Sequence, residues 1–132
     1  MIYAMAAMVL LTTIVGFVAI KRRIKSVKDG SLDIHYFKLM NGHKVPNSVE
    51  QSTRNFNNLF EVPVLFYVVC TLYVSLSIES SIAIVFAWLF VVFRYGHSYI
   101  HLTYNKLLHR MIIYWCAIVA VLALWINLLI II

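Results

Sequence analysis

A bundle of four transmembrane helices is the all-α fold class this sequence predicts, and three observations predict it. Of 132 residues, 63% are hydrophobic and only 12% are charged, against roughly 45–50% apolar and about 25% charged in soluble domains. A globule of this size cannot hide so much apolar surface from water, so lipid must be the solvent for much of it. The apolar residues gather into four runs, and about 20 such residues cross a bilayer as a helix. The net charge of +6 lies in alternate connections between those runs, which argues for membrane topology rather than nucleic-acid binding. The length is that of one domain, residues 1–132.

The first run, Met1 to Ile20, holds no charged residue. It lacks the basic start of a cleavable signal, its apolar stretch is too long for one, and Lys21-Arg22-Arg23 follows at once. It reads as a retained helix over 1–20. A polar, basic segment follows from Lys21 to Asn47, punctuated by Gly30, Gly42 and Pro46. Ser48-Val49-Glu50-Gln51 fits a capping box, with Ser48 as the cap and Gln51 reaching back. The second helix is therefore expected over 48–78, with its first turns in the interfacial zone. Pro63 removes one donor and predicts a kink near Leu59.

A tight connection with Glu79 as its one charge leads to the third helix, expected over 81–104. The fourth is expected over 111–132, with Asn127 as its one polar residue. Eight of the eleven Lys and Arg lie between the first two apolar runs, and Arg94, Lys106 and Arg110 lie between the third and fourth. The positive-inside rule places both basic segments in the cytoplasm and both termini on the other side. Cys70 and Cys116 sit inside apolar runs and read as buried small hydrophobes rather than as a disulfide framework.

Ionisable residues in or beside transmembrane helices are costly and often functional. On the second helix, Arg54, Asn58 and Glu61 stand at i, i+4, i+7, which one continuous helix brings to one face. An acid, an amide and a base so placed can take a zwitterionic, peptide-like ligand. The alternative is an Arg54–Glu61 ion pair that only fixes packing. On the third helix, one face carries Arg94, His97, Ser98, His101 and Asn105, and the other carries Tyr95, Tyr99, Leu102 and Lys106. His97 and His101 have the i, i+4 spacing of two metal ligands. Arg94 on their face would repel a cation and no third ligand is evident, so no metal site is assigned. The alternatives are histidines that hydrogen-bond across helices and tyrosines that sit at the interface as aromatic residues commonly do. Nucleophilic triads, phosphate-binding glycine loops and Cys-x-x-Cys sites are absent from the sequence.

These motifs resemble the MAPEG superfamily, the membrane-associated proteins of eicosanoid and glutathione metabolism that include microsomal glutathione transferases. The resemblance covers nearly the whole chain and looks most like a bacterial branch, which implies a bacterial inner membrane. It rests on R-x-x-x-N-x-x-E, here Arg54, Asn58 and Glu61, on R-Y-x-x-x-Y, here Arg94, Tyr95 and Tyr99, and on the basic pair Arg22-Arg23. It implies that Arg54, Asn58, Glu61, Arg94, Tyr95 and Tyr99 bind glutathione as cosubstrate, Glu61 holding the amino group, Arg54 and Arg94 the carboxylates, and Asn58, Tyr95 and Tyr99 positioning the peptide. It implies a homotrimer with sites between neighbouring protomers. Family enzymes that activate the glutathione thiol place an arginine where this chain has Lys106, so Lys106 or Arg23 is the expected source of the activating charge. The resemblance thus implies a glutathione-binding membrane protein that conjugates or reduces lipophilic electrophiles. The other readings are a non-catalytic lipid-binding or accessory subunit of a larger membrane complex, and a metal or haem protein using His97 and His101.

Overall fold

The computed structural model describes residues 1–42 and 44–132. Among them the chain forms α1 (Ile2–Lys28), a short α2 (Tyr36–Leu39), α3 (Asn47–Asn58), α4 (Val62–Ser75), α5 (Ser81–Leu102) and α6 (Leu107–Ile131), with no strand. Four spans are long and apolar enough to cross a membrane: Ile2–Lys28, Asn47–Ser75, Ser81–Leu102 and Leu107–Ile131. The fold is an all-α integral membrane bundle, in which α3 and α4 together make the second span.

The helix limits differ from the sequence expectation where polarity was taken as a stop. α1 runs past Ile20 to Lys28. Lys and Arg are good helix formers, and Lys25 and Lys28 in the last turn favour the negative end of the helix dipole. At 1.5 Å per residue, α1 is about 40 Å long and overshoots a hydrocarbon core of about 30 Å. α5 stops at Leu102 rather than 104, and α6 starts at Leu107 rather than 111. Asn105 in the connection has φ of 50°, a left-handed conformation that asparagine tolerates better than most residues.

The capping box at Ser48 does not form. Pro46 is the N-cap of α3, and no side chain caps it. The Ser48 carbonyl and the Gln51 Oε1 instead accept from Arg22 of α1, at 3.1 and 3.5 Å. Near Leu59 the second span breaks outright rather than bending. Leu59 closes α3 and Glu61 is the N-cap of α4. Pro63 falls in the first turn of α4, where its missing N–H is one the helix could not have used.

Small residues let the helices close on one another, as membrane packing requires. Ala83 and Ala87 of α5 and Ala117 and Ala120 of α6 are all buried. A Cβ at Gly96 would lie 2.5 Å from Ile113 Cδ1, so this glycine leaves room for the Ile113 side chain of α6 against α5. Phe66 of α4 stacks on Phe90 of α5 with ring centroids 4.4 Å apart. Large apolar side chains such as Val9, Phe17, Trp88, Trp115 and Leu129 face outward, where lipid covers them. At the end that carries both termini, the Asn127 Oδ1 accepts from Tyr73 Oη at 2.8 Å and from Ser80 Oγ at 3.0 Å.

Candidate functional site

The other end of the bundle collects the basic and imidazole side chains. The polar face of α5 predicted from spacing is inward-facing: Arg94, His97, Ser98 and His101 are all buried. α3 lies against it. Ser98 Oγ donates to the Asn55 Oδ1 at 3.3 Å, and Arg94 Nη2 donates to the Asn58 carbonyl at 2.6 Å. The second bond has a local cause. The Asn58 carbonyl sits at the end of α3, where the break leaves acceptors without intrahelical donors. A cation there also suits the negative end of the helix.

That bond satisfies only part of Arg94. Its side chain is 0% exposed, yet Nε and Nη1 have no partner, and neither do Nδ1 of His97, both ring nitrogens of His101 or Nδ2 of Asn55. Buried polar atoms are costly without a partner, and native membrane interiors seldom hold so many together. Two small cavities open beside them. One, of about 170 Å³, is lined by Asn58, His97, Leu107, Arg110, Met111 and Tyr114. The other, of about 230 Å³, is lined by Asn47, Glu50, Gln51, Arg54, His101, Asn105 and Arg110.

Arg110 borders both cavities, and sequence reasoning did not select it. The Asn105 Oδ1 accepts from its Nη1 at 2.8 Å, while its Nε is buried without a partner. The packing of α6 against α5 brings the first turns of α6 onto the histidine face, so that the Tyr114 ring lies 5.8 Å from that of His97. A usable signal was present: Arg110 falls four residues after Lys106, one turn along the same helix.

The sequence-selected residues divide between this cluster and the surface. Arg54 and Asn58 share α3 and each lines one cavity. Arg54 is exposed and pairs with Glu50, one turn earlier, which is the one ion pair among the described residues. The Arg54–Glu61 pair does not form. The i, i+7 alignment holds only along a continuous helix, and the break places Glu61 outside α3, exposed at the start of α4. Tyr95 turns away from the cluster and donates to the Ala7 carbonyl of α1 at 2.9 Å. Tyr99 and Lys106 are exposed, and neither lines the two cavities. Arg23 is held elsewhere, donating to Thr53 Oγ1 at 3.1 Å with its guanidinium 5.8 Å over the Phe37 ring. Arg22 ties three helices together, its Nη2 donating to the Leu102 carbonyl at 2.8 Å beside its contacts to α3.

A larger cavity, of about 820 Å³, lies at the opposite end among Met1, Tyr3, Tyr73, Ser77, Glu79 and Ser80. It has no basic side chain in its walls, and the nearby Tyr73–Asn127–Ser80 network is already bonded within itself. The smaller pair of cavities is therefore the better candidate. Among the described residues, no three or more His, Cys, Asp or Glu gather as a metal set.

Fold and site together define an integral membrane protein with a cluster of basic and imidazole side chains where its second, third and fourth spans meet at one end. The chain belongs to the MAPEG family, membrane proteins of eicosanoid and glutathione metabolism, whose profile matches residues 1–130. No curated protein and no solved structure matches the chain.

Proposed function

We propose that this protein binds glutathione in the paired cavities between α3 and the α5–α6 corner, and presents its thiol to lipophilic electrophiles from the bilayer. The observation that carries this reading is the set of buried, unpartnered nitrogens on His97, His101 and Arg110, which line those cavities, with Arg94 buried behind them. Glu50 is the one carboxylate in the cavity walls and is paired with Arg54, so the two carboxylates of glutathione, with its ammonium and two amides, suit the remaining basic groups. Leu107, the first residue of α6, also lines one cavity, so the positive end of that helix adds to the attraction. Family membership supports the choice of ligand, because glutathione is the cosubstrate generally used by MAPEG proteins.

In this reading Arg54 takes a carboxylate and Asn58 a peptide amide, while Arg94, which lines neither cavity, positions Asn58 through its carbonyl. Glu61, exposed outside both linings, takes the ammonium as the family motif implies. Arg110 is the activating cation rather than Lys106 or Arg23, because it alone of the three lines the cavities. A guanidinium beside the sulfur favours the thiolate over the thiol. The thiolate attacks an electrophilic carbon, the C–S bond forms as the bond to the leaving oxygen or halide breaks, and the thiol proton leaves to solvent. Tyr99 and the outer edges of Arg54 and Glu61 are exposed on one protomer. A neighbouring copy, as in a homotrimer, would close the site over the ligand. Both termini are placed on the non-cytoplasmic side by the concentration of Lys and Arg in alternate connections.

The deciding experiment is a calorimetric titration of the detergent-purified protein with glutathione, read together with ultraviolet thiolate absorbance. Binding with thiolate formation that Arg110→Ala removes supports the enzyme. Binding without thiolate in any variant favours a non-catalytic ligand-binding subunit, and no binding by the folded protein refutes the reading. Cysteine labelling from each side of sealed vesicles tests the orientation, which a cytoplasmic C-terminus would overturn.

A further inference from the structure

The connection between α1 and α3 turns back toward the bilayer instead of projecting into water. The first span becomes polar after Ile20. Phe37 of α2 lies against Arg23, with the guanidinium carbon 5.8 Å from the ring centroid. Arg23 is three residues beyond Ile20, which is about 4.5 Å of helix rise. α2 therefore sits at the level of the lipid headgroups, although the end of α1 reaches further out.

At that level the connection exposes apolar side chains that no part of the protein covers. Ile34 is 65% exposed and Leu39 77%, whereas Met40 turns toward α3 and lines a cavity of about 450 Å³ with Lys44, Glu50 and Arg54. In this part of the chain Lys21, Lys25, Lys28, Lys38 and Lys44 are exposed, against three exposed acids, Asp29, Asp33 and Glu50, of which Glu50 is paired with Arg54. None of the five lysines is ion-paired among the described residues. Exposed apolar side chains on a segment rich in unpaired lysines are poorly suited to water and well suited to an anionic membrane surface, where the chains enter the headgroup boundary and the lysines meet phosphates.

From this we infer that the α2 segment is a lipid-binding paddle that inserts Ile34 and Leu39 among the anionic headgroups of the leaflet at the basic end of the bundle. Its occupant is anionic phospholipid. The charge sign selects that partner, and the height set by the Phe37–Arg23 contact puts it within reach. Because Arg23 also donates to Thr53, beside Arg54 on α3, a seated paddle braces the helix that borders the two cavities. The inference does not depend on glutathione binding.

The test uses the full chain in nanodiscs, with Leu39→Cys in a Cys116→Ala background carrying an environment-sensitive fluorophore. Cys70 is fully buried and is left in place. Discs of phosphatidylcholine are compared with discs that also contain phosphatidylglycerol, using a quencher on the lipid near the headgroup. The paddle predicts stronger quenching in the anionic discs, by about two-fold or more, and a fall to the zwitterionic level in Lys38→Glu/Lys44→Glu. Those lysines are exposed, so the double variant should keep its helical content, which circular dichroism checks. Equal quenching in both discs overturns the choice of anionic lipid. Water-like emission without quenching in either disc overturns insertion. A label shielded from both water and lipid means that protein covers the patch, which also overturns it.

Discussion

The two ends of the bundle handle buried polarity in opposite ways. At the end carrying the termini, Tyr73, Ser80 and Asn127 from α4, the α4–α5 connection and α6 satisfy one another, and Tyr73 Oη also reaches the Leu124 carbonyl at 3.2 Å. At the basic end, Arg94, His97, His101 and Arg110 come from equally packed helices, yet leave several buried nitrogens without partners. The first arrangement is complete as it stands and joins helices. The second is incomplete in one chain, and it borders cavities. Polar residues inside a membrane thus separate into structural and ligand-directed sets by whether their hydrogen bonds close among themselves.

Substitutions at the two ends should accordingly have different consequences. The largest effect is expected for Arg110→Ala. Loss of a guanidinium from a desolvated anion contact should weaken glutathione binding by about 2–5 kcal/mol, measured by calorimetry, with helical content unchanged. If both affinity and thiolate absorbance are retained, Arg110 is not at the ligand and the contrast between the ends fails. Glu61→Gln should cost about 1.5–3 kcal/mol of affinity, the scale of a hydrogen bond to a charged group. Because Glu61 makes no ion pair among the described residues, its loss should leave unfolding in mixed micelles unaffected. A destabilised Glu61→Gln with normal affinity would assign that carboxylate to packing instead.

At the other end the pattern should reverse. Tyr73→Phe removes the hydroxyl shared with Asn127 and should lower stability by about 0.6 kcal/mol, the average for interhelical hydrogen bonds in membranes. Glutathione affinity should not move, and a drop would mean that the terminal end communicates with the site. The smallest effect is expected for Lys106→Ala, an exposed position that lines neither cavity. Thiolate absorbance should be retained and stability should change by no more than about 0.5 kcal/mol. Loss of the thiolate in Lys106→Ala would return the activating role to that lysine.

Some of this was legible in the sequence because it depends on local, periodic properties. Runs of apolar residues of bilayer length sufficed for four spans, since lipid admits few alternatives to a helix. The period of 3.6 sufficed to put Arg94, His97, Ser98 and His101 on one face of α5, and Pro63 sufficed to mark the disturbance near Leu59. The sequence could not show whether that disturbance bends or breaks the span. That depends on whether another group can satisfy the exposed Asn58 carbonyl, and the group that does so, Arg94, lies 36 residues away in the chain. Once the span breaks, the single face joining Arg54 to Glu61 is lost.

Arg110 is likewise a product of the tertiary structure. By spacing alone it is one cation in a basic turn. It becomes a candidate site residue because the packing of α6 against α5 carries the first turn of α6 beside His97 and His101. The sequence by itself determined the solvent, the helices and the inward face of α5, because hydropathy and helical period act over neighbouring residues. Only the tertiary structure decided which polar groups are satisfied and which are left to a ligand, because hydrogen-bond partners across a bundle are chosen by distances that no local pattern encodes.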